Sequence, residues 1–361
     1  MKACIFGGKV QNKNINRHDN LNRVGLNNGN MLFWHSLNSI LDSELKTLGE
    51  CLSASFDGSQ YNSYITTDLI WIREGATFPV VNKQLEIAGD KPLIPISIGL
   101  QTATFKNDFK LHSETVALLA KLQERAVLGV RGSYTAEILN KYNIKNIEII
   151  GCPSMYLPFD YNFQITKRTV DLKNVAVNLR SLYSKLDYKE IKFLVYSANH
   201  KFSFVEQTAH PLSREICVDM PTFDYLIKWL NDYKLMFFDI EDWKSFMSTV
   251  DFSMGCRFHG NVIALWEKKP ALFVTIDSRT KELCNHFSLP TISLKDFDEE
   301  KDIQYYYDLA DYTEFNKNYS SRLHEFIIFL KKNKLIISKN CNQYYDKKIL
   351  ELEKKLEKGN N

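Results

Sequence analysis

Arg257 and His259 stand two residues apart in the segment DFSMGCRFHGNVIALWEKKPALFVTIDSRTKELCNHFSLP, residues 251–290, and Arg279 follows in the same stretch. The segment reads as strand, tight Gly-containing turn, helix, strand, turn, helix, which puts Arg257 and His259 where the first strand gives way to its helix. In an open α/β sheet, ligands bind along that carboxyl edge. The first amides of a helix after Gly260 would point at whatever sits beside His259, and a helix N-terminus near an arginine suits an anion. Arg279, beside Asp277 and Ser278, takes the equivalent place after the next strand. Guanidinium groups hold carboxylates and phosphates through paired hydrogen bonds, and imidazole moves protons near neutral pH. The chemistry this predicts is capture of a small anion beside a proton-transfer group. Structural roles fit the same residues: a packed strand-end His259, a surface first-turn Arg279, or Arg257 paired with Asp251 or Asp277. Spacing alone does not choose between them.

Apolar strand-like runs alternate with helical periods along most of the chain, which predicts parallel sheets covered by helices. In the first half, strands are expected at Ala3–Phe6, Leu69–Arg73, Leu93–Ile98, Val127–Val130 and Ile147–Ile150. Helices are expected at Asn30–Leu41, Ser113–Arg125 and Ser133–Tyr142, the last with Ser133 as N-cap. Gly151, Pro153 and Pro158 then break the pattern. A second series has strands at Asn174–Leu179, Phe193–Ser197, Leu235–Asp239, Phe252–Met254 and Ala271–Ile276. Its helices fall at Thr222–Asp232, Glu241–Val250, Asn261–Glu267 and Arg279–Phe287. The expected fold is α/β, with two Rossmann-like domains facing across a cleft in the glycosyltransferase-B manner, plus C-terminal helices. The boundaries are residues 1–158 for the first domain, 159–172 for a linker and 173–310 for the second, donor-binding domain. A long helix over 311–337 packs back on the first domain, and a charged helical tail fills 338–361. In that tail Tyr345, Ile349, Leu352 and Leu356 form a two-heptad seam, suited to a homo-oligomer contact or to a solvated helix end.

Composition narrows the partners. With 46 basic and 43 acidic residues the net charge is +3, too even for a protein that grips a long nucleic-acid backbone. The 44% hydrophobic and 25% charged fractions are those of a globular protein. Seven scattered cysteines form no CxxC pair and no zinc-like cluster, which fits reduced thiols in the cytoplasm. No apolar run reaches membrane-spanning length, and MKACIFGG reads as a first strand rather than a signal peptide. The expected location is cytoplasmic, with peripheral association at the inner face of the membrane as the variant.

RFHGNVIAL followed by PALFVTIDSRTKEL closely resembles the signature of the polysaccharide pyruvyltransferase family, in which an R-x-H-G turn precedes a helix. LGVRGSYTAEIL followed at Gly151 by GCPS is similar to that family's V-R-x-x-x-S/T block and its G-C/D-P-S/A turn. VGLNNGNMLFWHSL is similar to the Gly-Asn/Asp turn that opens the family's first helix. These blocks keep the family's order over about 260 residues, from Val24 to Leu283. Two positions depart from the pattern: Asn30 stands where many members have Asp, and Arg279 where some have Lys.

The resemblance implies transfer of pyruvate from phosphoenolpyruvate to sugar hydroxyls as a ketal, during exopolysaccharide or capsule biosynthesis. The acceptor would be a saccharide, with a lipid-linked precursor as one form. Arg131, Arg257 and Arg279 would clamp the donor's carboxylate and phosphate, and His259 would shuttle the proton. No metal or cofactor is called for, phosphoenolpyruvate being a substrate. Asn30, in the Asn27–Asn30 turn, and Gln101 are acceptor-side candidates that could equally satisfy loop backbone. The other histidines lack a comparable anion context. Two rival readings share the architecture. One is a nucleotide-sugar glycosyltransferase with Glu282 as its ribose-binding acid; the other is a non-catalytic partner in a polysaccharide assembly complex.

Overall fold

The computed structural model describes residues 2–9, 16–169, 171–180, 182, 185–208, 212 and 218–341. The seam at Tyr345, Ile349, Leu352 and Leu356 lies outside the described residues. The first unit runs β1 (Lys2–Phe6), α1 (Arg17–Arg23), α2 (Asn30–Ile40), β2 (Ser43–Lys46), α3 (Leu48–Leu52), β3 (Tyr61–Thr66), α4 (Pro79–Ala88), β4 (Leu93–Pro95), α5 (Ser113–Gln123), β5 (Leu128–Val130), α6 (Ser133–Lys141) and β6 (Ile147–Ile149). The second runs β7 (Val175–Asn178), α7 (Tyr188–Asn199), β8 (Ser203–Val205), α8 (Met220–Tyr233), β9 (Lys234–Leu235), α9 (Ile240–Ser248), β10 (Phe252–Gly255), α10 (Phe258–Trp266), β11 (Ala271–Thr275), α11 (Ser278–Phe287) and β12 (Thr291–Ser293). Helices α12 (Ile303–Leu309) and α13 (Thr313–Lys332) close the described chain.

Among the described residues the named strands all pair in parallel. The first sheet runs β2-β1-β3-β4, and a bridge between Ile98 and Val130 joins it to β5-β6. The second runs β12-β11-β10-β7-β8-β9. That is the doubly wound order, with the strand sequence reversing between β7 and β10. The reversal leaves a crevice outside the carboxyl ends of those two strands, where the Arg257–His259 turn emerges. Strands buried on both faces need continuous apolar runs, and all four positions of Val175–Asn178 and of Phe252–Gly255 are buried. Helix α10 is buried at eight of its nine positions, Phe258 through Leu265, so it is a core helix with no solvent face.

Several elements differ from the sequence-based expectation, among them the strand expected at Leu235–Asp239, which shrinks to β9 at Lys234–Leu235. Phe193–Ser197 lies inside α7, where Asp187 and Glu190 make a capping box. A short apolar run fits a buried helix as well as a strand, and the cap settles it. Leu69–Arg73 is not a strand of the sheet; β3 precedes it at Tyr61–Thr66, and the later segment keeps one bridge, Ile72 to Leu100. Ser133 is not the N-cap of α6; Gly132 is, with no capping bond of its own side. Residues 159–172 do connect the units but pack closely: the Phe163 ring sits 5.0 Å from that of Tyr319 in α13. Asn316 of α13 brackets Ile165, accepting its N–H and donating to its carbonyl, both at 2.9 Å. Beyond α13, Asn333 pairs with the backbone of Val127, accepting at 2.9 Å and donating at 3.1 Å, so the chain folds back onto the first unit.

Candidate functional site

A cavity of about 540 Å³ opens between the two units, and Asn30, Gln101, Arg131, Arg257, His259 and Arg279 all line it. Each lining stretch of the second unit follows the carboxyl end of a strand: Arg180 after β7, Thr208 after β8, His259 after β10 and Arg279 after β11. The first unit contributes Arg73, Gln101 and Arg131 after β3, β4 and β5.

The β10–α10 turn is fixed from below by a buried amide network. Asn178, at the end of β7, accepts the Arg257 N–H on Oδ1 at 2.7 Å and the Cys256 N–H on its backbone oxygen at 3.1 Å. Its Nδ2 donates to Asn261 Oδ1 at 3.0 Å, which also accepts from Ser253 at 2.9 Å. Asn261 Nδ2 donates to Gly255 O at 2.9 Å. Helix α10 begins at Phe258, earlier than the sequence pattern suggests, so His259 sits within its first turn rather than before it. Arg257 is the N-cap and makes no side-chain cap bond, and Phe258 and His259 of the first turn line the cavity. By contrast, Asp277 caps α11 by accepting from the Thr280 N–H at 3.0 Å.

His259 is 9% exposed, with Phe33 of α2 beside its ring at 5.5 Å. Burial, and then Arg131, Arg279 and Arg257, push its pKa down to about 3. The imidazole is therefore neutral at pH 7, whereas its type alone predicted titration near neutrality. Its Nε2 lies 3.5 Å from the Cys152 thiol, whose own pKa burial raises. The Cys152 thiol also lies 3.1 Å from Ser154 Oγ, so among the described residues Nε2 is engaged within the buried wall while Nδ1 is not.

Arg131 is 4% exposed, and burial lowers its pKa to about 10. Its Nε donates to Ser97 Oγ at 3.1 Å. Ser97 holds a left-handed backbone with φ of 68°, an uncommon state for a residue with a side chain. Gly99 makes room for the guanidinium stem, since a Cβ there would sit 2.6 Å from Arg131 Cδ. Arg257 donates to Leu179 O at 3.1 Å and contacts Thr208 Oγ1 at 3.4 Å. Neither Arg131 nor Arg257 has a carboxylate partner among the described residues. Arg279 does: it pairs with Asp277 at 3.2 Å. Gln101 bridges the units, donating to Asp277 Oδ2 at 3.2 Å and accepting from Arg73 Nε at 3.1 Å. Asn30 turns its amide to Val24 O at 3.0 Å, the loop-satisfying role, while still lining the cavity.

Glu282 is 3% exposed and spans the interface instead of facing the cavity. It accepts from the Thr135 N–H at 2.6 Å and the Thr135 hydroxyl at 2.8 Å, capping α6 from the other unit. A Cβ on Gly132 would lie 2.4 Å from Glu282 Cγ, so this approach needs glycine. Both carboxylate oxygens are committed, and the acid is removed from any ribose-binding role. Ser97, Cys152, Asn178 and Arg73 escaped the sequence reading. Of these, Asn178 carried a usable signal as a polar residue closing an apolar strand.

A family model described as polysaccharide pyruvyl transferase matches residues 8–278. No curated protein matches the chain in sequence. Among solved structures, S. aureus MnaA in its UDP co-structure is similar, at 11% identity over 92% of this chain and 98% of that one, with a TM-score of 0.44. The UDP-GlcNAc 2-epimerase of Neisseria meningitidis, bound to UDP-GlcNAc, is also similar: 11% identity, 92% and 100% coverage, TM-score 0.43. The glycotransferase of kitacinnamycin follows at 10% identity, 78% and 76% coverage, and a TM-score of 0.36.

Proposed function

The chain belongs to the polysaccharide pyruvyl transferase family, and from that premise we propose that its cleft moves pyruvate from phosphoenolpyruvate to a saccharide as a cyclic ketal. One observation carries the proposal. Arg131 and Arg257, from opposite units and without carboxylate partners, meet His259 and the uncapped first turn of α10 in a single cavity. Phosphoenolpyruvate brings a carboxylate and a phosphate three bonds apart, and two guanidinium groups with helix amides match that charge. Arg279 is already paired with Asp277, so it would orient the donor as half of an ion pair.

The reaction adds a proton to C3 of the enol, making a methyl group and leaving C2 electron-poor. A sugar hydroxyl attacks C2, the C2–O bond to phosphate breaks, and inorganic phosphate departs. A second hydroxyl then closes the ketal. Two protons leave the hydroxyls; one ends on C3 and the other on phosphate. His259 would carry them through Nδ1, since Nε2 faces Cys152. Burial first, and then the three arginines, hold the imidazole neutral, and the donor's charge would offset the arginines' share. Donor binding would thus raise the basicity of His259 toward what proton transfer requires.

The test compares ligands on the purified protein. Phosphoenolpyruvate should raise the melting temperature with the logarithm of its concentration, and nucleotide sugars should not. Mass spectrometry of an acceptor mixture should then show a pyruvate-sized gain that requires phosphoenolpyruvate. Stabilisation by a nucleotide sugar alone would instead favour the glycosyltransferase reading, for which the committed carboxylate of Glu282 leaves no ribose partner in place. Expression of the product in an exopolysaccharide or capsule, at a cytoplasmic membrane face, belongs to the same proposal. Among the described residues no helix is long and apolar enough to cross a membrane.

A further inference from the structure

The first-unit wall of the cavity carries groups for which a small trianion has no use. Trp71 lines the cavity yet is 44% exposed, and Leu26, on the same lining, is 52% exposed. Residues 68–71 form a turn, and Ile72 anchors its end: its N–H donates to Gly99 O at 2.8 Å and its carbonyl accepts from Gln101 N at 2.8 Å. Ile72 is fully buried, while Trp71 and Arg73 on either side of it are exposed. The Arg73 guanidinium lies 5.6 Å from the centre of the Trp71 ring. Its Nε is fixed on Gln101 Oε1 at 3.1 Å, and it has no carboxylate partner among the described residues. A large aromatic face beside an oriented, unneutralised cation is built for a ligand that offers C–H surface and negative charge together.

We propose that Trp71 and Arg73 form the acceptor subsite, where a pyranose ring stacks on the indole and an anionic substituent of that saccharide pairs with Arg73. The assignment rests on the reading of the cleft as a site of pyruvyl transfer. Gln101 joins Arg73 to Asp277 and so to Arg279, which ties the acceptor wall to the donor clamp across the two units. A glycosyl phosphate and a uronate supply the same charge, and the experiment separates them.

The probes are hexopyranoses of the gluco, galacto and manno series, each as methyl glycoside, 1-phosphate and uronate. Saccharide binding is followed by calorimetry without phosphoenolpyruvate, and phosphoenolpyruvate binding is measured separately in the same way. The wild-type protein should give a saturable change with at least one series, with an anionic member bound about tenfold tighter than its methyl glycoside. Which anion is preferred identifies the source of the charge. Trp71→Leu should weaken saccharide binding about tenfold or more. Arg73→Gln should abolish the anionic preference while leaving the methyl glycoside unchanged. Both variants should keep phosphoenolpyruvate affinity within about threefold, because neither residue is placed on the donor. The proposal is overturned if no probe binds the wild-type protein, or if Trp71→Leu binds as the wild type does. It is equally overturned if both variants lose phosphoenolpyruvate as strongly as saccharide. Saccharide binding without any phosphoenolpyruvate binding would instead defeat the pyruvyl-transfer reading and leave the subsite standing.

Discussion

At the scale of single residues, burial decides what each side chain in the cleft can do. His259 has its charge suppressed by desolvation and three arginines, so its value lies in what a bound anion would change. His259→Gln keeps size and hydrogen bonding; it should bind phosphoenolpyruvate within about tenfold of wild type while turnover falls about 10²- to 10⁴-fold. Calorimetry beside ketal formation reads both. Equal losses in binding and turnover would make His259 an anion ligand only, and unchanged turnover would remove it from the chemistry. For Arg131 the structural alternative would be an ion pair with Glu137 on the following helix. That carboxylate is exposed on α6, and Arg131 instead meets Ser97. Arg131→Ala should therefore raise the apparent KM for phosphoenolpyruvate about 10- to 150-fold, the loss of a charge-assisted hydrogen bond. A fall in melting temperature with donor affinity intact would return Arg131 to a structural role.

At the scale of elements, the β10–α10 turn depends on Asn261, whose amide makes bonds to Asn178, Ser253 and Gly255 within a fully buried shell. Asn261→Leu conserves approximate volume but takes the acceptor from Asn178 Nδ2 and Ser253 Oγ. A cost of about 1–3 kcal/mol per orphaned group should lower the melting temperature by roughly 3–8 °C and weaken phosphoenolpyruvate binding with it. An unchanged melting temperature would show that the network is dispensable. This turn was legible in the sequence because its strand, its glycine and the helix that starts within three residues are contiguous, while the Asn178 brace from β7 was not. The strand-edge placement of Arg131 and Arg279 was legible for the same reason. What the sequence hid has physical causes. The short strands β2, β8 and β12 span three or four residues, too few to show a period. The cap on α6 comes from Glu282, 147 residues away, where no local pattern reaches. Trp71 and Arg73 flank Ile72 at the end of a turn held by a single bridge, so their exposure depends on Leu100 and its neighbours.

At the scale of the whole molecule, the two units are pinned beside the cleft by contacts that carry buried charge, and this makes their union sensitive to pH. Glu282 reaches from α11 to the first turn of α6, and burial raises its pKa to about 7 despite the bonds from Thr135. In the unfolded chain the same carboxyl titrates near 4.3. Between those values the folded protein holds a proton that the unfolded chain has released. Stability from this group is therefore fully present below about pH 4 and is lost as pH rises toward 7. His259 acts oppositely: its depressed pKa of about 3 costs stability as pH falls below the ordinary imidazole value near 6.5. Glu282→Gln isolates the first effect, because the neutral amide can still accept the Thr135 N–H and has no proton to lose. From pH 5 to about 7 the melting temperature of the variant relative to wild type should climb, and above that it should level off. The full change corresponds to a few kcal/mol, on the order of 1.4 kcal/mol for each unit of pKa displacement. A difference between the two proteins that stays constant with pH would mean that Glu282 is ionised throughout, its charge held by the α6 amides and Arg131, and the clamp would then be indifferent to pH.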